Sequence, residues 1–193
     1  MHAWPCAVVL AQCVWTHREE LMRKTVLELG AGVSLPGVVA VKCGAQVILS
    51  DSAELPLFLE NCRRTCEVNL LPNVLVVGIT RGEVSPDLLL LPPLDILGSD
   101  VFYEPEGEFR LTDIENVLVT ISFLLRKNHE AQFWTTYQER SADWSIEALL
   151  HKWNLKCLNI PLEKFHANKD QLAGATLPGS HNVQMIITED KES

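Results

Sequence analysis

Short apolar runs alternate along the chain with stretches whose apolar residues recur every three or four positions. The runs are typical of strands buried on both faces, and the stretches are typical of amphipathic helices that cover a sheet. Strands are predicted over 26–29, 47–51, 74–79, 94–100, 131–137, 155–160 and 183–188. Helices are predicted over 6–20, from Pro36 to Cys43, over 55–69, from Thr112 onward, and after Ser141 as an N-cap. This alternation predicts an α/β fold with a mainly parallel sheet.

Length and charge narrow the class of protein. With 193 residues the chain can bury a core without disulfides or a structural metal, and we expect residues 1–193 to form one domain. The net charge of −9 disfavours binding to nucleic-acid phosphates and favours cationic partners such as basic protein tails. Ordinary solubility explains the same charge equally well. The polar segment 163–181 is predicted to leave the sheet at its edge, where it can touch a protein substrate.

The cysteines and histidines indicate neither a disulfide framework nor a metal site. No C-x-x-C or H-x-x-x-H spacing is present, so we interpret all six cysteines as buried intracellular thiols and predict no bound metal. The apolar run 3–15 lacks the basic start and the small-residue exit of a secretory signal. No stretch approaches the roughly 20 apolar residues of a membrane span, so no membrane contact is predicted.

The stretch 26–37, Val-Leu-Glu-Leu-Gly-Ala-Gly-Val-Ser-Leu-Pro-Gly, predicts a strand, a tight turn and the start of a helix. Gly30 and Gly32 let the backbone pass close to a ligand, and Pro36 suits the first turn of a helix. Such a turn directs backbone N–H groups and the positive end of the helix dipole into a crevice. In many α/β proteins that crevice binds a nucleotide.

The kind of nucleotide follows from which motifs are absent. The fingerprint G-x-G-x-x-G would need a glycine at Leu35, and no G-x-x-x-x-G-K-[ST] is present. Asp51 ends the second predicted strand, where a carboxylate can accept hydrogen bonds from both hydroxyls of a ribose. The pattern therefore favours a nucleoside without phosphates.

Four segments in this order resemble a known family. They are Trp4-Pro5-Cys6-Ala7, the glycine turn at 26–37, the strand 47–51, and Gly-Ser-Asp-Val-Phe-Tyr at 98–103. The glycine turn resembles motif I of class I S-adenosylmethionine-dependent methyltransferases. The four segments together resemble the methyltransferase-like family 16 group of protein methyltransferases, from Trp4 to about Ile187. The resemblance implies a Rossmann-like sandwich of seven strands with an antiparallel last strand.

The resemblance also implies roles for individual residues. The cofactor would be S-adenosyl-L-methionine, with S-adenosyl-L-homocysteine as product, and the acceptor would be oriented by Asp100, Tyr103 and Glu104 at the substrate face. Glu28 would steady the glycine turn and the amino-acid end of the cofactor. The complete set of cofactor-binding residues that it implies is Trp4, Glu28, Gly30, Ala31, Gly32, Asp51, Arg81 and Ser99.

Arg81 departs from the pattern of the family. The third predicted strand ends in Thr80-Arg81-Gly82, where the family usually has tryptophan and then glycine, with the tryptophan against the adenine. A guanidinium can still stack on a purine, but it buries less apolar area. A positive group near a sulfonium is also unfavourable. The substitution therefore predicts altered affinity for the cofactor on an unaltered fold.

The function implied is methyl transfer from S-adenosylmethionine to a side-chain nitrogen of a protein, with a role in chromatin and transcription in the nucleus and cytoplasm. The closest resemblance within the group implies histone arginine as the acceptor, and the wider group implies lysine on non-histone proteins. Glu104, Glu106 and Glu108 favour arginine. The preference is slight, because acidic residues attract both cations. Chaperones or transcription factors are further partners of the kind implied.

Two other classes of function stay open. The first is an interaction module that keeps the methyltransferase fold without turnover, which Arg81 motivates. The second is a methyltransferase for RNA or small molecules. The net negative charge and the absence of an Asn/Asp-Pro-Pro-Tyr motif disfavour this second class.

Overall fold

Seven strands form one sheet at the centre of the molecule, as seen in a computed structural model that describes residues 4–102, 111–138, 145–168, 171–172, 175–176 and 182–191. The strands of this sheet are β1 (Thr25–Leu29), β2 (Gln46–Asp51), β3 (Leu75–Gly78), β4 (Asp95–Ser99), β5 (Phe133–Gln138), β6 (Leu155–Asn159) and β9 (Val183–Asp190). Between β6 and β9 a short antiparallel hairpin joins β7 (Gln171–Leu172) to β8 (Ala175–Thr176).

Helices connect the strands. They are α1 (Pro5–Thr16), α2 (Arg18–Leu21), α3 (Leu35–Lys42), α4 (Pro56–Val68), α5 (Pro86–Leu90), α6 (Leu111–Lys127) and α7 (Ile146–Lys152), with a 3-10 turn over Leu162–Phe165. The strand order is β3-β2-β1-β4-β5-β9-β6, and β9 runs antiparallel to both of its neighbours. This order confirms the Rossmann-like α/β fold and the antiparallel last strand that the resemblance implied.

Apolar side chains pack on both faces of the sheet because neighbouring strand residues point to opposite sides. Leu27 and Ile96 belong to a cluster covered by α6, whose inward residues are Ile114, Val117, Leu118, Ile121, Leu124 and Leu125. Val26 and Leu97 belong to the opposite cluster, which includes residues of α1, α3 and α4. Trp134 lies in this second cluster and is 1% exposed, as expected for a core residue.

Some predicted boundaries were wrong. The helix predicted over 6–20 is two helices, since His17 leaves the helical conformation and packs its ring edge-on against Trp134 at 5.7 Å. The helix predicted to follow Ser141 begins after Ser145, whose Oγ accepts the N–H of Ala148. Ser141 itself lies outside the described residues.

Two further local structures were not predicted from the sequence. Helix α5 forms because Ser85 caps it by accepting the N–H of Leu88 and Pro86 occupies its first turn. The predicted polar excursion over 163–181 overlaps the 3-10 turn and contains the short hairpin. In that turn Phe165 is fully buried, so this part of the segment packs on the core.

The thiols differ in exposure. Cys6, Cys13, Cys62 and Cys66 are buried, but Cys43 and Cys157 are partly exposed. The expectation that all six are buried is therefore wrong for two of them. Cys43 is the C-cap of α3, and Cys157 lies on β6 at the edge of the sheet, so each has one side open to solvent.

Gly37 in α3 tests how closely this helix approaches the sheet. A Cβ at this position would overlap the Glu28 carboxylate and a methyl group of Leu49. We expect Gly37→Ala to lower the free energy of unfolding by about 1–3 kcal/mol through overpacking. Urea denaturation measures this, with Lys42→Ala in the exposed last turn of α3 as the control, expected within about 0.5 kcal/mol of the parent. Equal stabilities for both variants would contradict the close approach.

Candidate active site

The turn between β1 and α3 is held in a left-handed conformation. Gly30, Gly32 and Ser34 have φ values of 60°, 53° and 58°, a region that favours glycine. The N–H of Ala31 donates to the carbonyl oxygen of Ser50 on β2 at 2.9 Å. This hydrogen bond fixes the turn against the carboxyl end of β2. Ligands of open α/β sheets bind at that end of the strands.

Asp51 closes the other side of the turn. Its Oδ2 accepts the N–H of Gly32 at 2.9 Å, and its Oδ1 accepts the N–H of Ser52 at 2.8 Å. Each oxygen thus has one backbone donor. An ionised carboxylate can accept about four hydrogen bonds, so Asp51 keeps acceptor capacity for ligand hydroxyls.

An open crevice of about 320 Å³, a volume that includes solvent at its mouth, lies above the ends of the parallel strands. Its wall combines apolar residues with polar ones. The residues that line it are Leu29, Gly30, Ser50, Asp51, Ser52, Ile79, Arg81, Val101, Val117 and Thr120. They come from the ends of β1 and β2, from the loops after β1, β2, β3 and β4, and from α6.

Arg81 reaches across this crevice from the loop after β3. Its Nη2 lies 3.1 Å from the point where a Cβ on Gly30 would be, and a methyl of Val101 lies 3.5 Å from the same point. The guanidinium is therefore placed between the turn after β1 and the loop after β4. The residue at which the sequence departs from the family pattern, Arg81, thus places a positive charge inside the crevice.

Glu28 lies beneath the turn and is fully buried. Its Oε2 accepts the N–H of Gly37 at 3.0 Å, while Oε1 has no hydrogen-bond partner. Burial raises the pKa of this carboxyl to about 8, and the charge of Asp51 adds to the effect although the Gly37 N–H opposes it. At neutral pH the Glu28 side chain is mostly neutral and supports the start of α3.

The end of β4 lies beside the turn, as the sequence predicted. Gly98 pairs with Leu29, which brings Ser99 and Asp100 level with Gly30. Asp100 has a left-handed φ of 54°, and its N–H donates to the carbonyl oxygen of Thr136 at 2.7 Å. Asp tolerates this conformation better than most residues, and such strain is often found at functional sites.

The structure brings only part of the predicted site together. Gly30, Asp51 and Arg81 line the crevice, with Glu28, Ala31, Gly32 and Ser99 in the surrounding structure. Trp4, the N-cap of α1, is 68% exposed and does not line the crevice, so its role stays a prediction. Tyr103 and Glu104 lie outside the described residues.

Sequence reasoning missed several residues of the wall. Ser50, Ser52, Ile79, Val117 and Thr120 line the crevice but were not predicted as site residues. Thr120 had a signal in the sequence, because it is a polar residue next to the apolar stripe of α6. Its Oγ1 accepts the N–H of Gly82 and so joins α6 to the loop that carries Arg81.

Metal-binding clusters and membrane-spanning helices are both absent from the described part of the chain. Among those residues, no group of three or more His, Cys, Asp or Glu side chains could hold a metal ion. Over the same ranges, no helix is long and apolar enough to cross a membrane.

Comparison with known protein families shows to which family the chain belongs. Residues 1–145 match the family described as lysine methyltransferase. The chain belongs to this family and is an S-adenosylmethionine-dependent methyltransferase that acts on protein, in agreement with the fold, the glycine turn and the acid that ends β2.

Individual relatives agree with this placement. The chain is 63% identical over its full length to the histone-arginine methyltransferase METTL23 of Xenopus laevis, covering 80% of that protein. It is 60% identical to METTL23 of Homo sapiens over 97% of the chain and 96% of the relative. The protein N-lysine methyltransferase METTL21A of Danio rerio is 32% identical over 71% of the chain and 66% of that protein.

Solved structures share the fold at low identity. The YcgJ protein of Bacillus subtilis superposes with a TM-score of 0.67 at 11% identity, over 95% of this chain and 99% of the other. Magnesium protoporphyrin IX methyltransferase of Synechocystis, solved with bound S-adenosylmethionine, superposes with a TM-score of 0.60 at 14% identity, over 95% and 77% of the two chains.

The residues of the crevice fit this cofactor. Asp51 can accept hydrogen bonds from ribose hydroxyls, and the wall of Leu29, Ile79, Val101 and Val117 can pack against an adenine ring. The glycine turn leaves space beside the backbone for the rest of the molecule. Arg81 is the exception, because its charge is unfavourable for a sulfonium.

The buried carboxyl of Glu28 makes a specific prediction about pH. Its pKa is about 8 in the folded protein against an ordinary 4.5, so the unfolded chain binds fewer protons between these values and stability falls as pH rises through them. We expect Glu28→Gln to remove this part of the slope, since Gln stays neutral and still accepts the Gly37 N–H.

Urea denaturation at about pH 5.5 and pH 8 measures the effect. The parent should lose about 1–3 kcal/mol more than Glu28→Gln over this interval. Glu60→Gln, on the exposed face of α4, is the control and should follow the parent. Parallel pH profiles for the parent and Glu28→Gln would show that Glu28 is ionised in the folded protein.

Proposed function

We propose that the protein transfers a methyl group from S-adenosylmethionine to arginine on histones. The support for arginine comes from the METTL23 relatives at 60% and 63% identity, which are named histone-arginine methyltransferases. The lysine methyltransferases METTL21A are more distant at 32% identity. Lysine on a non-histone protein is the second candidate acceptor, and it is favoured by the description of the family as a whole.

The proposal is supported mainly by one observation: three strand ends meet at one crevice. The glycine turn after β1, the acid that ends β2 and the loop after β4 meet there. The first two features suit a nucleoside, and the third brings Asp100 beside the glycine turn. A donor and an acceptor can therefore be held next to each other.

The chemistry asks the protein mainly for orientation. The bound cofactor supplies a methyl group on a sulfonium, which is a reactive donor for a nitrogen lone pair. Correct placement of the two reactants can contribute about 7–11 kcal/mol to lowering the barrier. In the proposed mechanism Asp51 holds the ribose, residues 30–32 border the amino-acid end, and Asp100 with Tyr103 and Glu104 orients the acceptor.

Asp100 has a particular task if the acceptor is arginine. A guanidinium is always protonated near neutral pH and spreads its charge over three nitrogens. A carboxylate bonded to one N–H localises the charge and leaves another nitrogen more nucleophilic. The net charge of −9 also favours approach of a basic histone tail.

The cellular setting follows from the proposed substrate. Histones occur in the nucleus and are made in the cytoplasm, so we propose both locations and a role in chromatin regulation. Chaperones or transcription factors that bring the substrate are proposed partners. No direct contact with nucleic acid is proposed, since the acidic chain is repelled by phosphates.

The position of Arg81 favours a second candidate function, a methyltransferase fold that serves as an interaction module with weak or no turnover. The guanidinium lies against Gly30, where the cofactor would have to fit. Calorimetry with S-adenosylmethionine distinguishes the two functions. Binding of S-adenosylmethionine by the purified protein supports the function as an enzyme. The absence of measurable binding supports the function as an interaction module.

Asp51 tests the cofactor site directly. We expect Asp51→Ala to weaken binding of S-adenosylmethionine by about tenfold or more, because hydrogen bonds to a carboxylate are lost. Isothermal titration calorimetry measures the affinity, and thermal denaturation checks the fold, since Asp51 also binds Gly32. Asp87→Ala, at an exposed position in α5, is the control. An unchanged affinity in Asp51→Ala would exclude Asp51 from the site.

Asp100 tests the acceptor side. Asn adopts left-handed backbone as readily as Asp, so Asp100→Asn should keep the fold and bind the cofactor with affinity within about threefold of the parent. We expect methyl transfer to a histone peptide to fall by about 100-fold or more, as for loss of a group that stabilises the transition state.

The peptide assay also identifies the acceptor residue. Paired peptides that differ only by arginine or lysine at one position are compared by mass spectrometry of the methylated product. Transfer to the arginine peptide alone supports the proposal, and transfer to the lysine peptide alone supports the second acceptor. Full activity of Asp100→Asn would remove Asp100 from the mechanism.

A further inference from the structure

The loop after β3 and the helix α6 form two adjoining parts of the crevice wall. Ile79 and Arg81 line the crevice from the loop. Val117 and Thr120 line it from α6, where their spacing of three puts them on one face of the helix. The N–H of Ile79 donates to the carbonyl oxygen of Asp51 at 2.9 Å, which fixes the start of the loop beside the end of β2. A nucleoside held by Asp51 through its ribose would therefore contact this part of the wall.

The loop after β3 folds as a tight turn. The N–H of Glu83 donates to the carbonyl oxygen of Thr80 at 3.3 Å, and Gly82 has a φ of 82°. A glycine with positive φ at the third position of a four-residue turn is typical of type II. The bond that closes the turn uses the N–H of Glu83, so the N–H of Gly82 is available to a partner outside the turn.

Thr120 is that partner. The N–H of Gly82 donates to Thr120 Oγ1 at 3.0 Å, and the hydroxyl donates in turn to the carbonyl oxygen of Asn116 at 3.2 Å. Thr120 is 2% exposed, so the helix fixes its hydroxyl in place. A Cβ on Gly82 would lie 2.5 Å from Asn116 Oδ1, which shows that the turn lies directly on α6.

Removal of the Thr120 hydroxyl would change the crevice wall. The Gly82 N–H would lose its partner, and a half-buried donor without a partner is unfavourable, so the turn would move toward water. Arg81 would move with the turn, whereas Val117 would stay with α6. The two parts of the wall would separate, and apparent affinity falls with the fraction of molecules in the binding-competent arrangement.

We propose that Thr120 is a positioning residue for the cofactor. Its hydroxyl holds the turn after β3 against α6 and so keeps the two parts of the wall at the spacing that the nucleoside needs. This inference rests on the proposed function, since it takes the crevice to be the site of S-adenosylmethionine. Both hydrogen bonds of the hydroxyl are made to the protein backbone, so Thr120 acts through the turn.

Calorimetry of S-adenosylmethionine binding to the full chain tests the role of the hydroxyl. Thr120→Val keeps the shape of the side chain and removes the hydroxyl. It should weaken binding by roughly three- to tenfold, the range expected for one hydrogen bond. Thr120→Ser keeps the hydroxyl and should bind with an affinity within about twofold of the parent.

Two control variants separate positioning from a general loss of stability. Ser85→Ala removes the N-cap of α5 in the same connection between β3 and β4, so it lowers stability, but Ser85 does not line the crevice. Ser122→Ala removes another buried hydroxyl of α6, which makes no hydrogen bond within the described residues. Both variants should bind S-adenosylmethionine as the parent does. Thermal denaturation reports the stability of every variant.

A pair of glycine variants tests the same contact from the side of the loop. Gly82→Ala would place a Cβ against Asn116 and should weaken binding by a similar factor. Gly44 has a φ of 89° in the turn before β2, at the opposite edge of the sheet, and its Cβ would meet only Met22 Cγ at 3.4 Å. Gly44→Ala thus carries the same kind of backbone strain and should keep the affinity of the parent. This pair decides the matter if Thr120→Val does not fold.

Each contrary outcome is distinct. Parent-like affinity in folded Thr120→Val or in folded Gly82→Ala overturns the inference and leaves the proposed function in place. The same holds if Thr120→Ser loses as much affinity as Thr120→Val, because the hydroxyl is then not the cause. Equal losses in Ser85→Ala or Gly44→Ala assign the effect to general destabilisation and also overturn the role of Thr120. Failure of the folded parent to bind S-adenosylmethionine overturns both the inference and the proposed function.

Discussion

The hydrogen bond from the Gly32 N–H to Asp51 joins the two features on which the site depends. Gly32 belongs to the turn after β1, and Asp51 is the last residue of β2. Parallel pairing of the two strands brings their carboxyl ends to the same edge, where the bond can form. With the turn fixed in this way, its neighbour Gly30 is presented to the crevice and Ala31 is bound to β2.

The same edge explains why the site needs residues far apart in the chain. The register Leu29 to Gly98 sets the loop after β4 beside the glycine turn, and the bond from Asp100 to Thr136 continues the alignment to β5. Thr136 also donates from its Oγ1 to the Cys6 carbonyl at 2.8 Å, which ties the start of α1 to this edge. The sheet therefore determines which loops meet, and side chains supply the chemistry.

Much of this arrangement could be predicted from the residues. The glycine turn and Asp51 have local patterns whose geometry depends on few neighbours, and both lie at the crevice. The position of Ser99 and Asp100 beside the glycine turn could be predicted once β1 and β4 were expected to be neighbouring strands. The break at His17 was not predicted, and its ring contact is with Trp134, more than a hundred residues away in the chain. Ile79 and Val117 resemble ordinary core residues in sequence, and only the fold shows that they face a crevice.

The place of β9 in the sheet has a consequence for how the protein is made. β9 lies between β5 and β6, and among the described residues β6 pairs with no other strand. During synthesis the edge of β5 stays unpaired, and β6 lacks its partner strand, until Val183–Asp190 has left the ribosome. An unpaired strand edge invites association with other chains. This edge of the nascent protein is therefore open to such association until β9 pairs with β5 and β6.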